Sequence, residues 1–366
     1  MADFDHHCFH SSYHAARQCL LDTVSLYASN LMQQYHPVQH PLYGPGSQPL
    51  FLDWFELGQK SSPENLLILI SGTHGVEGFA GSAIQCNMLP SLADALHDED
   101  QFGIVLVHAI NPWGFAWLRR YDHEGIDLNR NFVDFNQELP QNPVYNDLHA
   151  DLFKQVDKPL NEVLTHWRQV LGENSFNTAI TQGQYQYSDG LFYGGTAPAW
   201  SRGVLEKLCA SEAVREARRI AVIDLHTGLG PYGYGEVIND HEPSTPGFDR
   251  VLSWYGDEAK SALLGESCSP PKTGLLDYFW HQLIGDRGCF VTLEFGTYSL
   301  DELLLTACQE QRYHNNLSGN VKLRDVHHKS VIELQNFFYP RDHKWQSLIL
   351  NRAQQVIELA RQGVCR

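Results

Sequence analysis

The stretch "NLLILISGTHGVEGFAG", residues 65–81, sets an apolar run ending at Ile70 against a segment with four glycines (Gly72, Gly75, Gly78, Gly81) and two polar residues three apart, His74 and Glu77. A short, fully apolar run reads as a strand covered on both faces. The glycines after it admit two readings. One is a flexible turn that happens to carry a histidine and a glutamate. The other is a backbone folded tightly enough to aim an imidazole and a carboxylate at the same ion.

Working outward, three more runs share this character: "GIVLVHAI" (103–110), "IAVIDLHTG" (220–228) and "CFVTLEFGT" (289–297). Helical patterns occupy 79–98, 202–218 and 246–264, so strands and helices alternate, the signature of an α/β sheet covered on both faces. Upstream, 11–34 reads as helix, "HPVQHPLYGPGSQP" (36–49) as loop and "LFLDWFELG" (50–58) as strand. The tail from about 299 reads as helical, ending in the amphipathic "WQSLILNRAQQVIELARQ". An interval at about 134–200 breaks the alternation with a helix-like stretch and then "GQYQYSDGLFYGGTAPAW", rich in Gly and Tyr. Long irregular segments inside a domain are functional loops or insertions, and this one reads equally well as a surface loop packed by its own aromatics. No repeat, low-complexity tract or long linker divides the chain, so 1–366 reads as a single domain.

The bulk properties exclude several classes. A net charge of −17 argues against nucleic acid, whose phosphates attract basic surfaces. No run approaches the roughly 20 apolar residues that span a bilayer. The first residues, "MADFDHHCFHSSYHAARQC", have neither the basic start nor the apolar core of a secretory signal. Eight cysteines are scattered with no CxxC pair, which reads as reduced thiols. A cytoplasmic location is the expectation.

Three of the four runs end in residues able to do chemistry: His74 and Glu77 after the first, Asp224 and His226 in "DLHTG", and Glu294 in "LEFGT". In α/β sheets ligands bind beyond the carboxyl ends of strands, where such residues converge. Two histidines and one carboxylate leave a fourth position of a tetrahedral zinc free, the composition of a catalytic site rather than a structural one. Ordinary alternatives stand beside this reading: a strand-end histidine with a satisfied ring, and a Glu294 salt-bridged to an arginine. A further segment, "NPWGFAWLRRYDHEGIDLNRNF" (111–132), places Asn129 and Arg130 after "GIDL", with Arg119 and Arg120 upstream. Arginine suits bidentate carboxylate recognition, although these arginines could equally offset surface negative charge.

Taken in order, "THGVEG", "NPWGFAWLRRYDHEGIDLNRNF", "DLHTG" and "LEFGT" resemble the zinc carboxypeptidase superfamily, which includes the aspartoacylase and succinylglutamate desuccinylase branch. The likeness runs from about residue 66 to 298, roughly two thirds of the chain. It implies a central mixed, mostly parallel sheet flanked by helices, and one Zn2+ per chain held by His74, Glu77 and His226. Asn129 and Arg130 would bind a substrate carboxylate, and Glu294 would be general base and acid. Arg120, or less readily Arg119, would stabilise the oxyanion, and Asp127 would orient His74. The implied activity is hydrolysis of an amide beside a free carboxylate, in a peptide or an N-acyl amino acid. A catalytically silent zinc-binding protein is the reading from another class. The chain departs from carboxypeptidases in lacking a tyrosine in register before the strand of Glu294, since Tyr278 follows "TGLLD". The expectation is that Tyr185, Tyr187 or Tyr193 of the insertion caps the substrate instead.

Overall fold

The computed structural model describes residues 6–155, 158–317 and 319–366. Its centre is one eight-stranded sheet: β1 (Met32–Gln39), β2 (Phe51–Gly58), β3 (Asn65–Ser71), β4 (Phe102–His108), β5 (Arg219–Gly228), β6 (Gly235–Asn239), β7 (Lys260–Ser261) and β8 (Gly288–Gly296). The spatial order is β1-β2-β4-β3-β5-β8-β6-β7. The middle pairs β4/β3, β3/β5 and β5/β8 run parallel, while β1/β2, β2/β4 and β6/β8 are antiparallel. The fold is α/β; the four apolar runs form the central parallel strands, and the short β7 also runs parallel to β6 at the far edge.

Alternation along these strands sorts the core into two layers. Leu67, Leu69, Ile104, Leu106, Ile223 and Leu293 pack on one face with the helices Tyr13–Tyr27, Gly78–Asp98 and His343–Cys365. Leu66, Ile68, Ile70, Val105, Val107 and Val222 pack on the other with Trp200–Leu208 and Leu276–Ile284. A third cluster joins the insertion, through Tyr145, Leu148, Phe176 and Phe192, to the tail helices Leu300–Asn315 and Lys329–Phe338. Helix starts follow local chemistry. Ser299 and Glu302 form a reciprocal capping box, and Asp342 accepts from the Trp345 amide.

Two expectations change. The helix read over 11–34 stops at Tyr27, and Met32–Gln39, placed partly in that helix and partly in the following loop, is the edge strand β1. Its glutamines, His36 and Pro37 give no buried apolar pattern, and a proline is tolerated there because an edge leaves one row of N–H groups unpaired. The pattern over 246–264 divides into the helix Pro246–Tyr255, a short turn and β7.

The glycines at 72–81 have a steric reason. Ile110 and Asn111 donate backbone N–H bonds to Ser71 and Gly72, while Gly75 and Val76 donate to Arg120 and Arg119. The two segments are therefore laced together backbone to backbone. A Cβ on Gly75 would stand 2.1 Å from the Gly114 carbonyl carbon, and Gly72 has φ +68° with its Cβ direction blocked by Ala109. Gly75→Ala should lower stability by about 1–3 kcal/mol, as overpacking does. Thermal denaturation of the purified variant measures this, and an unchanged midpoint would contradict the close approach.

Candidate metal centre and substrate cavity

His74 follows β3 and precedes a short 3-10 turn, Gly75–Glu77, which brings Glu77 back towards it. His226 lies near the end of β5. His74 Nδ1 is 2.9 Å from Glu77 Oε1, His226 Nδ1 is 3.2 Å from Glu77 Oε2, and the two Nδ1 atoms are 3.2 Å apart. One ligand atom from each residue fits within 4.8 Å of the others, and all three residues are buried. On the far side of each ring is a carboxylate: Asp127 Oδ1 is 3.1 Å from His74 Nε2, and Asp224 Oδ2 is 2.6 Å from His226 Nε2. A proton on His226 Nε2 thus finds an acceptor in Asp224, which turns its Nδ1 lone pair towards Glu77, while His74 Nε2 lies between Asp127 and a guanidinium and its Nδ1 also faces Glu77. Thr73 donates its hydroxyl to Asp224, and the Thr227 N–H donates to Glu77 Oε2. The set can hold a divalent metal ion.

The charges are tightly balanced. Burial opposes the ionised form of Glu77, but His74 and His226 outweigh it and hold the carboxyl below its usual range. Burial likewise opposes a charged His226, yet Asp224 and Glu77 raise it well above the ordinary histidine value. Asp127 is held well below the carboxylate range by Arg120 and His74, despite its burial.

Glu294, Arg120, Asn129 and Arg130 line the same cavity as the triad. Glu294 stands beside His226 across the β5/β8 pairing, and its Oε1 accepts the Leu229 N–H at 2.9 Å. Burial, and then Glu77, raise its pKa above the usual carboxyl value. Arg120 reaches Glu77 Oε1 at 2.9 Å and Asp127 Oδ2 at 3.0 Å, and its Nη2 lies 2.8 Å from His74 Nε2. Arg130 donates to the carbonyls of Thr181 and Asn129 and forms no ion pair among the described residues. Three of the five guanidinium N–H groups are used in this way, so two remain. Asn129 Oδ1 accepts the Leu276 N–H at 2.8 Å, which leaves its amide N–H groups as donors. Phe192, held at φ 53°, places its ring 5.3 and 5.5 Å from the Arg120 and Arg130 guanidinium carbons, within cation–π range.

Asp127 sits behind His74 rather than in the cavity wall. Arg119 is elsewhere: fully buried, it pairs with Glu310 at 3.0 Å and donates to Gln311 at 2.7 Å, with Arg324 on the same glutamate. The alternative that gave Arg119 the oxyanion therefore fails on position. The tyrosine expectation is also corrected. The Tyr185 hydroxyl donates to the Arg130 carbonyl at 2.7 Å, and Tyr187 stacks on His149. Tyr193 gives its carbonyl to the Asp127 N–H, and among the described residues no tyrosine lines the cavity. Sequence reasoning missed Phe192, Asp240, Lys272 and Asp277, all lining residues. The only available signal was the rarity of charged residues next to apolar strands and helices, as at "EVIND" and "GLLD".

The chain belongs to the family described as "Protein of unknown function (DUF2817)", whose model matches residues 9–352. No curated protein matches it. Similar solved structures include carboxypeptidase A from Helicoverpa armigera, with 10% identity, a TM-score of 0.48, and coverage of 84% of this chain and 72% of that one. Bovine thrombin-activatable fibrinolysis inhibitor, in complex with tick carboxypeptidase inhibitor, shares 13% identity at a TM-score of 0.44, over 95% and 97%. An aspartoacylase family protein from Mesorhizobium loti shares 14% identity at 0.35, over 79% and 66%. At such identities and scores the residues of the cavity must carry the functional reading.

Arg119→Met leaves Glu310 paired with Arg324 but strands the buried Gln311 acceptor, and should cost about 1–3 kcal/mol. Chemical denaturation should show this loss with metal content unchanged. A variant as stable as the wild type would return Arg119 to the list of functional candidates.

Proposed function

We propose that the chain is a single-domain, zinc-dependent hydrolase that cleaves an amide bond next to a free carboxylate. The observation that carries this is the joint presence in one cavity of the His74–Glu77–His226 cluster, the adjacent Glu294 and an Arg130 that forms no ion pair among the described residues. His74, Glu77 and His226 would hold one zinc ion, which when bound polarises the scissile carbonyl and acidifies water.

The chain's own residues supply the rest. Glu294 Oε1 is fixed by the Leu229 N–H, so Oε2 is the atom that takes a proton from water and passes it to the leaving nitrogen. Its raised pKa brings it nearer the pH at which it must both accept and donate. Arg120 presents its guanidinium to the oxygen that gains charge. Arg130, through its two remaining N–H groups, and Asn129, through its amide, grip the carboxylate. A carboxypeptidase and a deacylase of N-acyl amino acids differ only in what precedes the bond, and this anchor serves both. A silent zinc-binding protein has no use for a buried glutamate beside the metal ligands, so the catalytic reading is preferred.

The purified protein should contain about one zinc per chain, and His74→Ala or His226→Ala should lose most of it. Glu294→Gln should keep zinc and fold but lose about 10²–10⁴-fold in turnover. Metal analysis and kinetics on the same samples separate the two roles, and near-normal turnover in Glu294→Gln would move the base elsewhere.

The anchor is tested by blocking the substrate carboxylate as an amide. For the wild type this should cost about 10- to 150-fold in kcat/KM, the range of a charge-assisted hydrogen bond of 1.5–3 kcal/mol. In Arg130→Met the free and blocked forms should converge, whereas Arg120→Met should slow both alike. Equal cleavage of free and blocked substrates by the wild type would overturn the carboxylate assignment.

A further inference from the structure

Beyond Arg130 the cavity continues to a wall that holds Lys272, Asp240 and Asp277, none of which the hydrolytic reading uses. Lys272 Nζ bonds only neutral oxygens, Ser269 Oγ and the Pro270 carbonyl, and has no ion pair among the described residues. Burial, and then Arg130, push its pKa down to about 8, so it is still mainly protonated at neutral pH. Asp240 and Asp277 line the same cavity, and neither forms an ion pair with Lys272 among the described residues. Burial, and then Asp240, raise Asp277 well above the usual carboxyl value. Asp240 and Lys272 influence each other through space without touching.

A cavity wall carrying a cation and an acid pair that do not satisfy each other selects by elimination. An apolar side chain would seal both off from water without a partner, which is costly. A cationic side chain could pair with Asp240 only against the repulsion of Lys272 and Arg130, and an anionic one with Lys272 only against that of Asp240. A group that accepts from Lys272 and donates to Asp240 meets neither penalty.

We infer that this wall binds the side chain of the carboxylate-bearing residue of the substrate, and that this side chain ends in a neutral, dipolar group offering both an acceptor and a donor. A carboxamide and a second α-amino-acid (zwitterionic) end share this chemistry. The inference rests on the reading of Arg130 as the carboxylate anchor.

The test is calorimetric titration of the full-length protein, zinc added, with free glutamine, lanthionine (whose side chain ends in a second amino-acid group), leucine, glutamate and lysine. Glutamine or lanthionine should bind at least about 10-fold tighter than the other three, the worth of one charge-assisted hydrogen bond. Whichever of the two binds tighter identifies the source of the dipole. Lys272→Met and Asp240→Asn should each reduce the gap to within about threefold, with leucine bound no more weakly than by the wild type because a stranded charge is gone, and thermal denaturation verifies their fold. The inference is overturned if leucine, glutamate or lysine binds as tightly, if nothing binds, or if the gap survives in Lys272→Met. Selective binding without hydrolysis of any amide would remove the reaction and keep this wall. Hydrolysis with leucine bound as well as glutamine would do the reverse.

Discussion

The parallel pairing of β5 with β8 is the constraint on which the centre depends. It sets His226 opposite Glu294 and Asp224 opposite Thr292, and β3 pairs with β5 so that Ile70 lies opposite Asp224. Because side chains alternate, a slip of one residue would turn His226 and Glu294 to the face of Leu225 and Leu293, inside the helix-covered core. The apolar residues between them make such a slip costly. The hydrophobic pattern of these strands thus aims the polar groups, and Thr73, reaching from beyond β3 to Asp224, ties the two strand ends together.

Much of this was legible in the chain. Fully apolar runs identify the parallel strands, and the polar residues that close them converge because strand ends in such a sheet lie side by side. What escaped did so for physical reasons. β1 lies at an edge, where burial writes no pattern, and β7 is only two residues long. Arg119 and Arg120 are adjacent and chemically identical, and what separates them is Glu310, far away in sequence. Lys272, Asp240 and Asp277 sit singly in different segments, and no spacing rule joins residues whose only relation is a shared cavity.

The segment 134–200, equally readable as a self-packed surface loop, packs around Arg130. Thr181 receives two bonds from Arg130, Tyr185 ties down its carbonyl, and Phe192 lies beneath both guanidinium groups. Its aromatics serve by holding cations in place, and its tyrosines are spent on backbone carbonyls and ring stacking. A cation fixed by neutral carbonyls and ring faces keeps its charge available, whereas one fixed by a carboxylate does not. Arg119 and Arg130 illustrate the two outcomes within one molecule.

The bonds that hold the centre span long stretches of chain: 151 residues from Thr73 to Asp224, 150 from Thr227 to Glu77, and 147 from Asn129 to Leu276. Contacts of this range form only after extensive loop closure. A ribosome delivering the chain from its first residue releases His74 and Glu77 long before either His226 or Glu294 exists. The growing polypeptide therefore carries two of the three cluster residues until β5 emerges, and lacks Glu294 until β8 follows, so the cavity is assembled only late in synthesis.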